Sequence, residues 1–114
     1  MRAAARELHE ETGVAASSVH FSPAPYTVTD VILPEAGSKS GLVPGSKFHY
    51  MIAQTFCRTN ESADSLQLVP GDDAKHADWF TLQEICAMRE RGETTPDIVE
   101  CVERAVRLHE HGLL

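Results

Sequence analysis

Local signals along this chain come in one order, helix, then strands, then helices, and that order restricts it to an α+β fold. Residues 2–12 are nearly all strong helix formers, and Gly13 follows where a left-handed residue closes a helix. Val14 is placed to pack back on that last turn. Nothing ahead of residue 2 offers a side-chain cap. Strand-like runs then cover residues 18–21, 26–33 and 47–58, with a shorter one at 66–69. Pro23 and Pro25 separate the first two. Three glycines, two prolines and three serines make 34–46 a loop, and 60–65 and 70–75 read as turns.

The last third carries clear helix punctuation. Thr81 and Glu84 form a T-x-x-E capping box, with Phe80 and Ile85 where a hydrophobic staple lies, so a helix is predicted over 82–91. Thr95 and Pro96 open a second, over 96–111, whose Ile98, Val99, Val102, Ala105 and Val106 repeat at helical spacing. Gly112 ends it. With 114 residues and no internal repeat, the chain reads as part of a single domain.

Charge narrows the partners. Ten basic against 17 acidic residues leave a formal charge of −7, which argues against nucleic acid and against an anionic membrane surface. A phosphorylated small molecule stays open, because a metal ion can neutralise phosphate. No apolar run is long enough to span a bilayer, and the acidic start fits neither a signal nor a transit peptide. Cys57, Cys86 and Cys101 lack CxxC spacing; they read as small buried hydrophobes of a reducing compartment, the cytoplasm.

Glu7, Glu10 and Glu11 stand at i, i+3 and i+4, on one side of the first helix. Glu7 and Glu11 repel each other at a cost of a few tenths of a kcal/mol. All three lie toward the carboxy-terminal end, where the macrodipole disfavours each negative charge by roughly 0.3–1 kcal/mol. A solvated charged face, with Arg6 and Glu10 as an i,i+4 pair, is the bland explanation. Convergence on a divalent cation would reverse the sign of both penalties. All-oxygen ligation suits Mg²⁺ or Mn²⁺.

The whole string favours the metal. Arg6-Glu7-Leu8-His9-Glu10-Glu11-Thr12-Gly13-Val14 fits R-E-U-x-E-E-x-G-U, with U bulky and apolar. A chance match in a chain of this size is on the order of one in 10⁵. The string resembles the second half of the Nudix box, Gx5Ex7REUxEExGU. His49-Tyr50, Gly71-Asp72-Asp73-Ala74, the run from Ala77 to Leu82 and Thr94-Thr95 are similar, more loosely, to the ADP-ribose pyrophosphatase and MutT-like branch.

The resemblance implies a partial Nudix fold, an α/β/α sandwich with a mixed sheet between helices. Residues 1–114 would be the carboxy-terminal portion of that domain. The opening glycine and first glutamate of the box, and the family's amino-terminal strands, would precede Met1. It implies that Glu7, Glu10 and Glu11 bind Mg²⁺ or Mn²⁺, that Arg6 orients Glu7, and that Gly13 turns the chain out of the helix. The implied reaction is hydrolysis of a nucleoside diphosphate linked to another group, ADP-ribose-like or nucleoside-triphosphate-like, by water attack on phosphorus.

A further acid, as base or ligand, is expected from a later loop, with Asp73 foremost and Asp72, Glu61 and Asp64 as alternatives. Trp79 is expected to pack beside the staple, with base stacking as the sharper alternative. None of the six histidines has metal-ligand spacing. Exposed or missing strands would leave a homodimer contact. A noncatalytic nucleotide-sensing module and an inactive fragment are the competing functional readings.

Overall fold

The computed structural model describes residues 1–34, 47–95 and 97–114. Helix α1 spans Arg2–Thr12, and a 3₁₀ turn, Ala16–Ser18, leads into strand β1, Val19–Phe21. Strands β2, Thr27–Pro34, β3, Lys47–Gln54, and β4, Cys57–Thr59, follow, then helices α2, Leu82–Glu90, and α3, Ile98–Glu110. The α+β order stands. The loop expected over 34–46 lies, beyond Pro34, outside the described residues, as does Pro96.

Among the described residues the strands form two antiparallel pairs. β1 pairs with β4, His20 opposite Arg58, and β2 pairs with β3 from Thr27 opposite Gln54 to Pro34 opposite Lys47. The single strand expected over 47–58 is broken at Thr55–Phe56. Opposite this break stand residues 22–26, five against two, and Pro23 and Pro25 have no N–H to give a ladder. Two bonds bridge the gap: the Ser22 amide donates to the Phe56 carbonyl at 2.8 Å, and the Tyr26 amide to Gln54 at 3.0 Å.

The strand expected over 66–69 does not form. Leu66 and Leu68 are half-buried and Gln67 and Val69 exposed, so a strand's alternation is kept. Among the described residues no neighbouring strand takes up its hydrogen bonds; the Val69 amide donates to Thr12 at the end of α1 instead, at 2.8 Å.

α2 begins as its sequence dictates. The Glu84 amide donates to the Thr81 hydroxyl at 3.2 Å, and the Thr81 amide to the Glu84 carboxylate at 2.6 Å. It ends one residue before the expected 91, and Gly92 follows at φ 70°. α3 starts later than expected. Asp97 precedes its first residue without a side-chain cap bond, and Thr95 contributes its carbonyl, which accepts from the Ile98 amide at 3.3 Å. That i to i+3 bond makes a turn ahead of the helix rather than its first α-helical step.

Val14, Val99, Cys101 and Ala105 are the buried apolar residues among those described. Val99 and Ala105 come from the expected stripe of α3, whose Val106 is exposed. The Tyr26 hydroxyl donates to the Cys101 carbonyl at 3.0 Å, tying the start of β2 to α3. The Phe56 and His109 rings lie 5.4 Å apart between centroids. The β2–β3 ribbon keeps apolar side chains in solvent: Val28, Ile52 and, at 72%, Met51.

Candidate functional site

Helix α1 presents two different sides. Ala4, Ala5, Leu8 and Thr12 are half-buried, whereas Arg6, Glu7, Glu10 and Glu11 are exposed. Gly13 closes the helix at φ 74°, donating its amide to His9 at 2.8 Å, in the left-handed conformation expected of it. Behind it, the Thr12 hydroxyl donates to the Leu8 carbonyl at 2.5 Å and accepts from the Val14 amide at 3.3 Å.

Arg6 joins two of the three acids. Its guanidinium donates to the Glu7 carboxylate at 2.9 Å and stands 3.7 Å from Glu10. The hydrogen bond to Glu7, then the charges of Glu10 and Glu7, push the Arg6 pKa above its ordinary value. These groups lie in solvent, so the pairs orient side chains more than they stabilise the fold.

Glu11 stands at the edge of a cleft of about 340 Å³. Leu8, Thr12 and Val14 form one wall, Val19, Cys57 and Thr59 another, and Leu68 and Ala74 with the segment from His76 to Phe80 the rest. The lining is largely apolar, with Glu11, His76 and Asp78 as its charged or titratable polar members. Burial pushes the Cys57 thiol above its ordinary pKa, which keeps it protonated and a poor nucleophile. Cys101 is raised in the same way, by burial first and then by Asp97 and Glu100. Trp79 lines this cleft and is 43% exposed, so it is not the buried packing residue its sequence context suggests.

The structure brings the turn carrying Asp72 and Asp73 to the end of α1. The Gly71 amide lies 3.4 Å from the Glu11 carbonyl, and the Ala74 amide donates to Gly71 at 3.0 Å, closing the turn. Asp72 sits at φ 50°, a left-handed position that Asp and Asn tolerate better than most residues. Glu61 belongs to a different turn, its amide held by the Thr59 hydroxyl at 3.0 Å, and Asp64 lies on that same turn. Among the described residues, no three His, Cys, Asp or Glu side chains are gathered closely enough to cage a metal ion.

Sequence reasoning did not single out Leu68, His76 or the close approach of Gly71 to α1. These depend on contacts spanning some sixty residues of chain, for which no local pattern exists. Comparison of the chain with protein-family models, with curated proteins and with solved structures found no match.

Proposed function

We propose that this chain is a Nudix-type hydrolase module that cleaves the P–O–P link of a nucleoside diphosphate joined to another group, with Mg²⁺ or Mn²⁺. The observation carrying this reading is the string from Arg6 to Val14, folded as a helix that ends on a left-handed Gly13, with Arg6 donating to Glu7. Packing of the strands between helices, as an α/β/α sandwich, belongs to the same proposal.

The donor set suits a hard cation. Glu7, Glu10 and Glu11 offer oxygen alone and lie in solvent. Mg²⁺ keeps several waters and takes one or two carboxylates plus substrate phosphates, so a preformed three-acid cage is not required of the free chain. Bound there, the ion would neutralise phosphate charge and lower the pKa of a water.

The chain's own residues divide the remaining work. Arg6 fixes the Glu7 carboxylate in one orientation. Glu10 and Glu11 lie one turn on, Glu11 beside the cleft where the non-phosphate part of a substrate would rest. Asp73, on the turn docked at Glu11, is the proposed acceptor of the attacking water's proton. As water oxygen bonds to phosphorus, the bridging P–O bond breaks and its electrons leave with the departing phosphate. The exposed Val28 and Met51, which share one face of the β2–β3 ribbon, support a homodimer contact through it. The three free thiols support a cytoplasmic setting.

A panel of ADP-ribose, other nucleoside diphosphate derivatives and nucleoside triphosphates, incubated with the chain and Mg²⁺ or Mn²⁺, tests this reading. Metal-dependent release of AMP or phosphate is expected. Tight nucleotide binding with no turnover on any compound would instead identify a sensor.

A further inference from the structure

Two segments distant in sequence meet at the carboxy-terminal end of α1 with almost no space between them. The last carbonyls of a helix have no partner inside it. Here the Val69 amide reaches that of Thr12 at 2.8 Å, and the Gly71 amide stands 3.4 Å from that of Glu11. A Cβ placed on Gly71 would lie 2.6 Å from the Glu10 carbonyl oxygen. That oxygen belongs to the helix backbone and cannot swing aside. Across the same contact, a Cβ on Gly13 would lie 3.1 Å from the Val69 Cβ.

The placement of glycine in this turn is informative. Gly71 is not among the residues with positive φ, whereas the next residue, Asp72, has φ 50°. A turn selected for backbone comfort alone would put glycine at 72. This one keeps a carboxylate at the left-handed position and spends its glycine on closeness to the helix.

We propose that Gly71 is a positioning residue: by letting the 69–74 segment close on the helix end, it sets where Asp72 and Asp73 stand relative to Glu10 and Glu11. The proposal rests on the metal-hydrolase reading above. Any side chain at 71 must push the turn back by roughly 1 Å to restore an ordinary contact distance. Displacements of that size among groups that share a cation or a reacting water are costly to function.

The test is Gly71→Ala in the full chain, with Mn²⁺ binding followed by the electron paramagnetic resonance of free Mn²⁺, and hydrogen exchange read at the Val69 and Gly71 amides. Gly92→Ala is the control: its left-handed φ of 70° carries a backbone cost of its own, but a Cβ there meets nothing within 4 Å and the site is away from the 69–74 turn. In Gly71→Ala, faster exchange at both amides and Mn²⁺ binding weakened by about 10-fold are expected, the scale of losing a residue that orients metal ligands. Gly92→Ala should bind Mn²⁺ like the wild type. Should Gly71→Ala fail to fold, replacing the Val69 amide with an ester removes the bond to Thr12 without adding an atom at the contact, and the same loss of affinity is expected. Wild-type Mn²⁺ affinity in whichever of these variants folds overturns the positioning role alone. A wild-type chain that takes up no Mn²⁺ overturns the metal reading, and the positioning role with it.

Discussion

The Arg6 guanidinium donates to the Glu7 carboxylate at 2.9 Å, between neighbours whose side chains both lie in solvent. An exposed, solvent-screened pair of this kind adds little to stability, so stability is a weak reason for its presence. If it orients Glu7 for a cation, Arg6→Ala should move the melting temperature by no more than about 2–4 °C while lowering kcat at least 10-fold. Thermal melts and steady-state rates on one preparation check both halves.

Glu10→Gln separates charge from shape. It preserves side-chain size and removes one negative charge from the unfavourable end of α1. The pair it weakens, at 3.7 Å from Arg6, is exposed. The unfolding free energy should stay within about 0.5 kcal/mol of wild type, while turnover falls by at least 100-fold. Urea denaturation and product release measure the two effects, and unchanged turnover would remove Glu10 from the ligand set.

Gly13→Ala should destabilise the chain by about 1–2 kcal/mol, because a left-handed φ of 74° costs an L-residue roughly that much. The new Cβ would also stand 3.1 Å from that of Val69, loosening the contact at the end of α1. A lower denaturant midpoint at unchanged slope is the expected result.

Thr81→Ala removes one half of a reciprocal cap, in which the Thr81 hydroxyl serves the Glu84 amide. Loss of about 0.5–2 kcal/mol is expected, the usual cost of deleting such a cap. Thr81→Ser should recover most of it, as followed by the denaturant midpoint.

Burial raises the folded-state pKa of Cys57, Cys101 and Tyr26 above their ordinary values of 9.0, 9.0 and 10.0. The unfolded chain gives up these protons first as pH rises. Their contribution is therefore complete below about pH 9 and lost above it, through the folded-state values. A denaturation series should show stability falling from about pH 9 upward, and Cys101→Ala should flatten part of that fall.

Elements bounded by local chemistry were legible in the sequence. Gly13 marks the end of α1, and Thr81 with Glu84 marks the start of α2, because each needs only neighbouring residues to act. Elements decided by distant partners were not. Residues 66–69 alternate like a strand, but the Val69 amide is taken by Thr12. The run from 47 to 58 reads as one strand, but prolines on the opposite side interrupt its ladder. Thr95 followed by proline reads as a cap, although α3 begins only at Ile98. Of the candidate site, the acids of α1 and Arg6 follow from one contiguous string. The docking of the turn that carries Asp73, and the cleft beside Glu11, arise from tertiary packing that no periodicity encodes.

Glu7, Glu10 and Glu11 are proposed to hold a divalent cation together. Titrating Mn²⁺ into isotope-labelled chain and following paramagnetic broadening of each amide resonance tests this directly. Broadening centred on residues 7–11, reversed by excess Mg²⁺ and extending to the 71–74 turn, is the predicted result. Broadening centred elsewhere, or none at millimolar Mn²⁺ with a nonhydrolysable nucleotide present, would contradict the account.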